Sequence, residues 1–260
     1  MTPLWFEPDW PAPRGVRALS TMRGAPATGG ASQGPYAWLN LGAHVGDDPA
    51  AVAENRRLLR SRAGLPAEPS WLAQVHGVTV ADLDGVGRDT AGRDAAGSLG
   101  PADAAITRRV GKVCAILTAD CLPIVFTTDT GDGVGAAHAG WRGLAAGVIG
   151  ATVRAMGVPP ERLIAWLGPA IGPAHFEVGA EVRAAFLTTD SGAGDAFKAT
   201  LTGKFMADLA MLARRQLKNL GVSRIYGCGD CTYAHADRYF AHRRDGVTGR
   251  QATLIWREGS

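Results

Sequence analysis

Three short apolar segments that follow one another closely constrain the fold of this chain more than any other feature of its sequence. They cover residues 113–117, 122–127 and 134–137, they are rich in β-branched side chains, and glycine or aspartate stands at their boundaries. Segments of this length and composition are typical of buried strands. The core of the protein is therefore predicted to contain β-structure.

The rest of the sequence mixes predicted helices and strands without strict alternation. Further strands are predicted over residues 71–83, 163–167, 223–226 and 251–256, and helices over residues 48–64, 143–156, 181–187 and 205–220. Residues 1–35 are predicted to form extended segments and turns, and residues 84–101 a glycine-rich surface loop. This mixture favours an α+β fold with layered mixed sheets over a doubly wound parallel fold. No break in composition divides the chain, so residues 1–260 are predicted to form a single domain.

Composition and charge exclude several classes of protein. With 260 residues, 46% of them hydrophobic, the chain has enough apolar material for a sizeable core. The net charge is only +3 and the arginine pairs are scattered along the chain, so nucleic acid is not the predicted partner. A helix that spans a membrane needs about 18 consecutive apolar residues, and no apolar run in the sequence approaches this length. No membrane partner is therefore predicted. Because the first residues lack the pattern of a secretory signal, a cytoplasmic protein is expected.

The four cysteines, at positions 114, 121, 228 and 231, are expected to be reduced thiols rather than a disulfide framework. Cys228 and Cys231 have the spacing of a redox or metal half-site. No thioredoxin-type helix pattern follows them, and a closed zinc site would need two more ligands. We therefore expect this pair to be dispensable for metal chemistry.

Two histidines and one cysteine are candidates for a metal site. His76, Cys121 and His138 are each predicted at the end of a strand or beside a glycine, and they are separated by 45 and 17 residues. If they converge, three nitrogen and sulfur ligands with an open fourth position would form a catalytic zinc site. The spacing matches no zinc finger, so the residues alone leave open that each is an ordinary core residue. Cys121 as a nucleophile served by a histidine is a further alternative.

The small residues around His138 allow a ligand to approach the backbone closely. A helix is predicted to begin at Gly143, and the amides at such a helix start can bind an anion. Arg142 adds a charge that can make bidentate contacts with a phosphate or a carboxylate. The alternative for Arg142 is an internal salt bridge.

Several segments together resemble the YfiH-like laccase-domain family, and they run in the family's order nearly from end to end. The resemblance rests on Gln74-Val75-His76-Gly77, Thr118-Ala119-Asp120-Cys121-Leu122-Pro123, His138-Ala139-Gly140-Trp141-Arg142-Gly143, Leu39-Asn40-Leu41, His44-Val45-Gly46-Asp47, Gly168-Pro169-Ala170-Ile171-Gly172 and Arg243-Arg244-Asp245-Gly246 with Gly249-Arg250. The chain departs from the family pattern at Ala241-His242, where a serine and an aromatic residue are usual. It also has a longer turn between Gly24 and Ser32.

This resemblance implies a fold of two mixed β-sheets in an α/β/β/α layered arrangement. It implies one zinc ion per chain, or copper in the same site, held by His76, Cys121 and His138. These three residues and Arg142 are the expected catalytic residues. Arg23, Asn40 and Arg243 are expected to bind the substrate, a purine nucleoside with phosphate, and Arg23 or Arg243 to assist Arg142 with the phosphate.

The implied activity is phosphorolysis of adenosine, inosine and methylthioadenosine, with deamination of adenosine as a second activity. The family also suggests two alternatives, a hydrolase that corrects peptidoglycan precursors and a weak copper-dependent polyphenol oxidase. A full multicopper oxidase needs about ten histidines. The chain has only six, with no His-x-His pair. A pure binding module, the non-enzymatic alternative, would not require an open three-ligand metal site.

Overall fold

The computed structural model describes residues 3–85 and 99–259. In these ranges the strands are β1 (Trp5–Phe6), β2 (Val16–Thr21), β3 (Leu72–Ala73), β4 (Val80–Asp82), β5 (Leu99–Pro101), β6 (Ala104–Thr107), β7 (Val113–Thr118), β8 (Leu122–Thr128), β9 (Val134–Ala139), β10 (Leu163–Leu167), β11 (Glu177–Val178), β12 (Phe197–Ala199), β13 (Phe205–Ala207), β14 (Arg224–Gly227) and β15 (Gln251–Arg257). The α-helices are α1 (Pro49–Arg62), α2 (Trp141–Ala146), α3 (Val148–Met156), α4 (Ala180–Leu187), α5 (Leu209–Asn219) and α6 (His242–Asp245).

Two large sheets form the centre of the protein. The six-stranded sheet has the order β14-β10-β8-β9-β6-β4 and is mixed, because its two outer pairs are parallel and its inner pairs are antiparallel. The four-stranded sheet, β1-β2-β15-β7, is antiparallel throughout. The sheets pack face to face through side chains that include Ile116, Val125 and Trp166. The three apolar segments predicted as buried strands are β7, β8 and β9, and all their residues are buried.

Helices cover the outer face of each large sheet, which confirms the predicted α/β/β/α layers. On the six-stranded sheet, Ile149 and Val153 of α3 and Leu212 of α5 belong to the same apolar cluster as Phe126. On the four-stranded sheet, Leu59 of α1 packs into a second cluster with residues of β2, β7 and β15. Helix α1 begins where the Asp48 carboxylate accepts a hydrogen bond from the Ala50 amide, a capping contact typical of helix starts.

Antiparallel pairing of β8 with β9 brings two of the predicted metal ligands to one edge of the sheet. Pro123 lies opposite His138, and Leu122 lies opposite Ala139. Because β8 begins where β9 ends, Cys121 at the start of β8 meets the His138 end of β9. Cys121 and His138 therefore converge through strand pairing rather than through sequence proximity.

Three predicted elements differ from the structure. Residues 71–83 form two short strands, β3 and β4, instead of one, because hydrogen bonds to the Asp103 carboxylate turn the backbone around His76. The helix predicted over residues 143–156 begins earlier, at Trp141, and is interrupted at Gly147, whose left-handed conformation (φ 97°) ends α2. The helix predicted over residues 205–220 is strand β13 followed by α5, because the Asp208 carboxylate caps α5 by accepting from the Met211 amide.

The predicted loop over residues 84–101 falls mostly on residues 86–98, which lie outside the described residues. At its end, Leu99–Pro101 is strand β5, which pairs in parallel with β3. Strand β2 lies within the region predicted as extended segments and turns. Among the described residues, no helix is long and apolar enough to cross a bilayer.

The side chain of Asn55 joins α1 to the segment that precedes it. This residue is fully buried. Its amide nitrogen donates to the Ser32 hydroxyl at 2.8 Å and to the carbonyls of Trp38 and Asn40 at 3.1 and 2.9 Å, while its oxygen accepts from the Ala31 amide at 2.7 Å. One side chain therefore satisfies several buried polar groups at once.

We expect Asn55→Ala to lower the free energy of unfolding by about 2–4 kcal/mol, because it leaves buried donors and acceptors without partners. Urea unfolding monitored by circular dichroism measures the change. The matched control is Glu54→Ala on the exposed side of the same helix, which removes only a surface ion pair with Arg57 and should leave the free energy of unfolding nearly unchanged. Equal losses in both variants would contradict the role of Asn55.

Candidate metal centre

His76, Cys121 and His138 meet at one end of the six-stranded sheet. One ligand atom from each residue lies within 4.8 Å of the others. The Cys121 sulfur is 3.8 Å from His76 Nε2, and the two imidazole rings cross edge to face with centroids 4.7 Å apart. His138 is buried, Cys121 is half-buried and His76 is exposed, so the cluster opens to solvent on the His76 side.

The chemistry of this donor set fits a zinc ion. A tetrahedral zinc ion holds a thiolate sulfur at about 2.3 Å and an imidazole nitrogen at about 2.0 Å, which puts the two ligand atoms about 3.6 Å apart. The observed separation of 3.8 Å between Cys121 and His76 is close to that spacing. Three protein ligands with an open side are the pattern of catalytic rather than structural zinc sites. Imidazole and thiolate donors also bind copper.

The Asp103 carboxylate organises two of the three ligands. It is fully buried and lies 2.8 Å from Nδ1 of His138, which donates to it. It also accepts hydrogen bonds from the backbone amides of Val75, His76 and Gly77, at 3.1, 2.9 and 2.7 Å. The contact with Nδ1 leaves Nε2 of His138 available as a ligand, the arrangement found around many metal-bound histidines. Sequence reasoning missed Asp103, although a charged residue directly before an apolar strand was a signal.

Electrostatic coupling between Cys121 and the imidazoles favours a thiolate. Burial alone would raise the pKa of the Cys121 thiol, but His138 and His76 outweigh burial and lower it to about 6. Burial alone would likewise lower the pKa of His138, whereas the Cys121 sulfur and the Asp103 carboxylate raise it to about 9. A thiol that loses its proton readily is a better metal ligand, since the metal binds the thiolate.

Unusual backbone conformations position the ligands. His76 and Asp120 have positive φ angles of 61° and 88°, a region that side chains with a Cβ rarely adopt. Gly140 allows the ligands to come close, because a Cβ at this position would lie 2.8 Å from the Cys121 sulfur and 2.9 Å from Cδ2 of His76. Strained backbone of this kind is typical of functional sites, where surrounding contacts maintain it.

Asp120, the residue before Cys121, is held in place by three separate segments. Its carboxylate accepts a hydrogen bond from the Thr232 hydroxyl at 2.6 Å and another from the Arg243 amide at 2.6 Å. Its carbonyl accepts from the Ile171 amide at 2.9 Å. These contacts fix the backbone from which the thiol of Cys121 projects.

Arg142 lies on the surface beside the cluster. It follows Trp141, the first residue of α2, and its guanidinium stacks over the Trp141 ring at 4.5 Å from the centroid. No ion pair between Arg142 and a described residue is formed. The side chain is exposed and therefore accessible to an anion from solution.

The three predicted substrate-binding residues all make contacts within the protein. The Arg23 guanidinium donates to the carbonyls of Ala37 and Ala236. Asn40 is buried, and its side-chain oxygen accepts from the backbone amide of Arg250 at 2.8 Å. Arg243 supports Asp120 through its backbone amide, while its guanidinium donates to the Glu177 carbonyl at 2.6 Å. Asn40 and Arg243 thus support the backbone around the cluster.

Two basic residues near the cluster, His44 and Arg250, were not selected from the sequence. The pKa of His44 is lowered, mainly because the imidazole is partly buried. The positive charges of Arg250, Arg56 and His138 lower it further. Burial also lowers the pKa of Arg250, while the negative charges of Cys121 and Asp120 partly offset this effect. Both residues belong to segments that carry the family resemblance, and that was the available signal.

The Cys228 and Cys231 pair lies outside the metal centre. Within residues 3–85 and 99–259, the His76, Cys121 and His138 cluster is the one group of three such side chains close enough to share a metal ion. All four cysteines are free thiols, as expected from the sequence. Cys228 packs against the apolar cluster between the two large sheets, whereas the Cys231 sulfur points to Gly172 and His175.

Comparison with known proteins yields full-length relatives. The chain is 50% identical over 253 residues to a purine nucleoside phosphorylase of Pseudomonas aeruginosa, covering 97% of this chain and 98% of the relative. It is 48% identical over 249 residues to purine nucleoside phosphorylase YfiH of Escherichia coli, covering 96% of this chain and 97% of the relative.

Solved structures have the same fold. A protein of Neisseria meningitidis superposes with a TM-score of 0.89 at 45% identity, over 99% of this chain and 100% of the other. YlmD from Geobacillus stearothermophilus superposes with a TM-score of 0.91 at 32% identity, over 100% of this chain and 98% of the other. The family model described as multi-copper polyphenol oxidoreductase laccase matches residues 20–258. The chain therefore belongs to this laccase-like family, together with its YfiH relatives.

Proposed function

We propose that this protein is a zinc-dependent purine nucleoside phosphorylase that acts on adenosine, inosine and methylthioadenosine and also deaminates adenosine. The observation that carries the proposal is the open cluster of His76, Cys121 and His138. Its second support is the similarity, over nearly the whole chain, to relatives named purine nucleoside phosphorylase. The substrates would be a small nucleoside and inorganic phosphate.

The three residues of the cluster differ in burial, and their expected roles differ accordingly. Buried His138, oriented by Asp103, and half-buried Cys121 form the floor of the site, while exposed His76 stands at its mouth. A zinc ion bound to these three ligands would supply a Lewis acid next to the substrate. The nucleoside would approach from the side of His76, the exposed member of the cluster.

Phosphate would bind at the rim through Arg142. Its guanidinium is exposed, stacked on Trp141 and therefore partly ordered before any ligand arrives. A guanidinium can make two parallel hydrogen bonds to a phosphate. Arg23 and Arg243 would assist Arg142 with the phosphate, since the protein carbonyls that they contact use only some of the five donors of each guanidinium.

A copper ion in the same site is the competing identity of the metal. The description of the family model names copper, and imidazole with thiolate is a ligand set that copper accepts. Copper in these three ligands would favour a weak polyphenol oxidase. Metal analysis of the purified protein therefore tests both functions.

Product analysis with adenosine tests the proposed reactions directly. With phosphate present, we expect adenine and ribose 1-phosphate, and in the absence of phosphate we expect inosine from deamination. Chromatography of the products with and without phosphate makes this measurement. Failure to release adenine in the presence of phosphate would contradict the phosphorylase, and failure to form inosine would contradict the deaminase.

Purified protein should carry about one zinc ion per chain, and alanine at His76, Cys121 or His138 should abolish binding, because three ligands are the minimum for a tight open site.

Asp103→Asn should weaken zinc affinity by about 10- to 100-fold, since the partner that orients His138 would no longer be a charged acceptor. Elemental analysis and competition with a chelator measure both effects.

The control for these variants is Cys228→Ser, a cysteine outside the cluster that should keep its zinc and its nucleoside turnover within about twofold, at a packing cost near 1 kcal/mol. Full zinc retention in Cys121→Ala would refute the assignment of the ligands. A second zinc ion lost in Cys228→Ser would reveal another site.

Arg142→Ala should impair phosphorolysis more than deamination, because only phosphorolysis requires bound phosphate. A bidentate charged contact is worth about 2–4 kcal/mol, so kcat/KM for phosphorolysis should fall about 30- to 1000-fold. Arg57→Ala on the exposed side of α1 is the control for loss of a surface arginine. Equal losses in the two reactions would assign Arg142 to the nucleoside or to the fold instead.

A further inference from the structure

A second thiol and imidazole pair lies outside the metal centre. The Cys231 sulfur is 3.5 Å from Nδ1 of His175. Cys231 pairs with Ala170 through an isolated bridge, and His175 lies in the turn that follows Gly172. A nucleophile and a base within contact distance are the basic arrangement of an activated thiol.

Neighbouring groups contact both side chains of this pair. The backbone amide of Gly172 donates to the Cys231 sulfur at 3.1 Å, a contact that stabilises negative charge on sulfur. The His175 ring stacks on Tyr233, with centroids 4.5 Å apart and planes inclined by 17°. Cys231 and His175 are both partly exposed, so a small molecule can reach them.

The other cysteines differ from Cys231 in ways that suppress reactivity. Burial raises the pKa of Cys114 far above its usual range and that of Cys228 to about 11. Cys121 belongs to the metal centre. Among the described thiols outside that centre, Cys231 alone combines a neighbouring imidazole with partial exposure.

We propose that Cys231 and His175 form a modification site that undergoes thiol–disulfide exchange with small-molecule disulfides. His175 takes the thiol proton, and the Cys231 sulfur attacks one sulfur of the disulfide. A new sulfur–sulfur bond forms at Cys231 while the bond in the small molecule breaks. The departing thiolate then receives the proton from His175, so that one mixed disulfide and one free thiol are produced.

An adduct at Cys231 would affect the candidate metal centre through the contacts of Asp120. Thr232, the next residue, donates to the Asp120 carboxylate at 2.6 Å, and Ile171, next to Gly172, donates to the Asp120 carbonyl at 2.9 Å. On its Gly172 side the Cys231 sulfur is closely packed, since a Cβ on Gly172 would lie only 3.2 Å from it. A mixed disulfide at Cys231 would weaken the contact with Gly172, and we expect it to shift the two segments that hold Asp120, the residue before Cys121. The modification should weaken metal retention.

Glutathione disulfide is the probe, applied to the metal-loaded full-length protein, with intact mass and peptide mapping as readouts. We expect one adduct at Cys231, removable by a reducing agent. Cys231→Ser should abolish it, and His175→Gln should slow its formation by at least about tenfold, because a glutamine cannot take the proton. Cys228→Ser is the matched control and should react like the unaltered protein. Because mass is the readout, the result does not depend on the proposed nucleoside chemistry.

Three outcomes would overturn the proposal. The first is an adduct confined to Cys121. The others are an exchange rate at Cys231 no higher than that of free glutathione, and an unchanged exchange rate in a His175→Gln variant. Thermal unfolding checks that this variant is folded, and Cys231→Ala, which leaves His175 intact, gives the same test if the serine variant does not fold. The link to the metal centre is tested by elemental analysis after modification. Full metal retention in the adduct would overturn that link, and loss reversed by reduction would support it.

Discussion

The arrangement of His76 and His138 in the candidate metal centre depends on hydrogen bonds to the buried carboxylate of Asp103. Placing a charge in the protein interior is costly unless hydrogen bonds compensate for lost water. Asp103 meets this requirement by accepting from three consecutive backbone amides and from His138. One carboxylate therefore sets the orientation of one ligand and the backbone turn that carries another, His76. Its own position, directly before β6, is fixed by the pairing of β6 with β9, the strand that ends near His138.

The sequence predicted the parts of the fold whose causes are local. Strands β7, β8 and β9 were predictable because every residue in them is buried and apolar runs of this length report burial directly. The turn at His76 was not predictable, since its cause is a carboxylate 27 residues away along the chain. The interruption at Gly147 was similarly hidden, because glycine in a run of small residues gives no sign that it will adopt a left-handed conformation.

The residues of the candidate site also differ in how far the sequence could predict them. Family resemblance supplied the three candidate ligands, whereas their spacing in the sequence could not, because Cys121 and His138 meet only when β8 pairs with β9. The supporting residues were harder to assign by type alone. Asn40 has the chemistry of a substrate contact, yet its buried amide holds the backbone of Arg250. A polar residue in a motif can contact the substrate directly, or it can support another residue that does. Residue type alone does not separate these two roles.

Two carboxylates support the candidate metal centre, one on each side, through hydrogen bonds to neighbouring backbone and side-chain groups. Asp103 accepts from the turn that contains His76, and Asp120 links Thr232, Ile171 and Arg243 just before Cys121. His76 and Asp120, one on each side, have positive φ angles that cost conformational energy. Surrounding hydrogen bonds offset this cost, so the ligand atoms converge through contacts within the protein itself. This differs from small zinc domains, in which metal binding supplies the folding energy. Here the sheets and the two carboxylates order the three side chains.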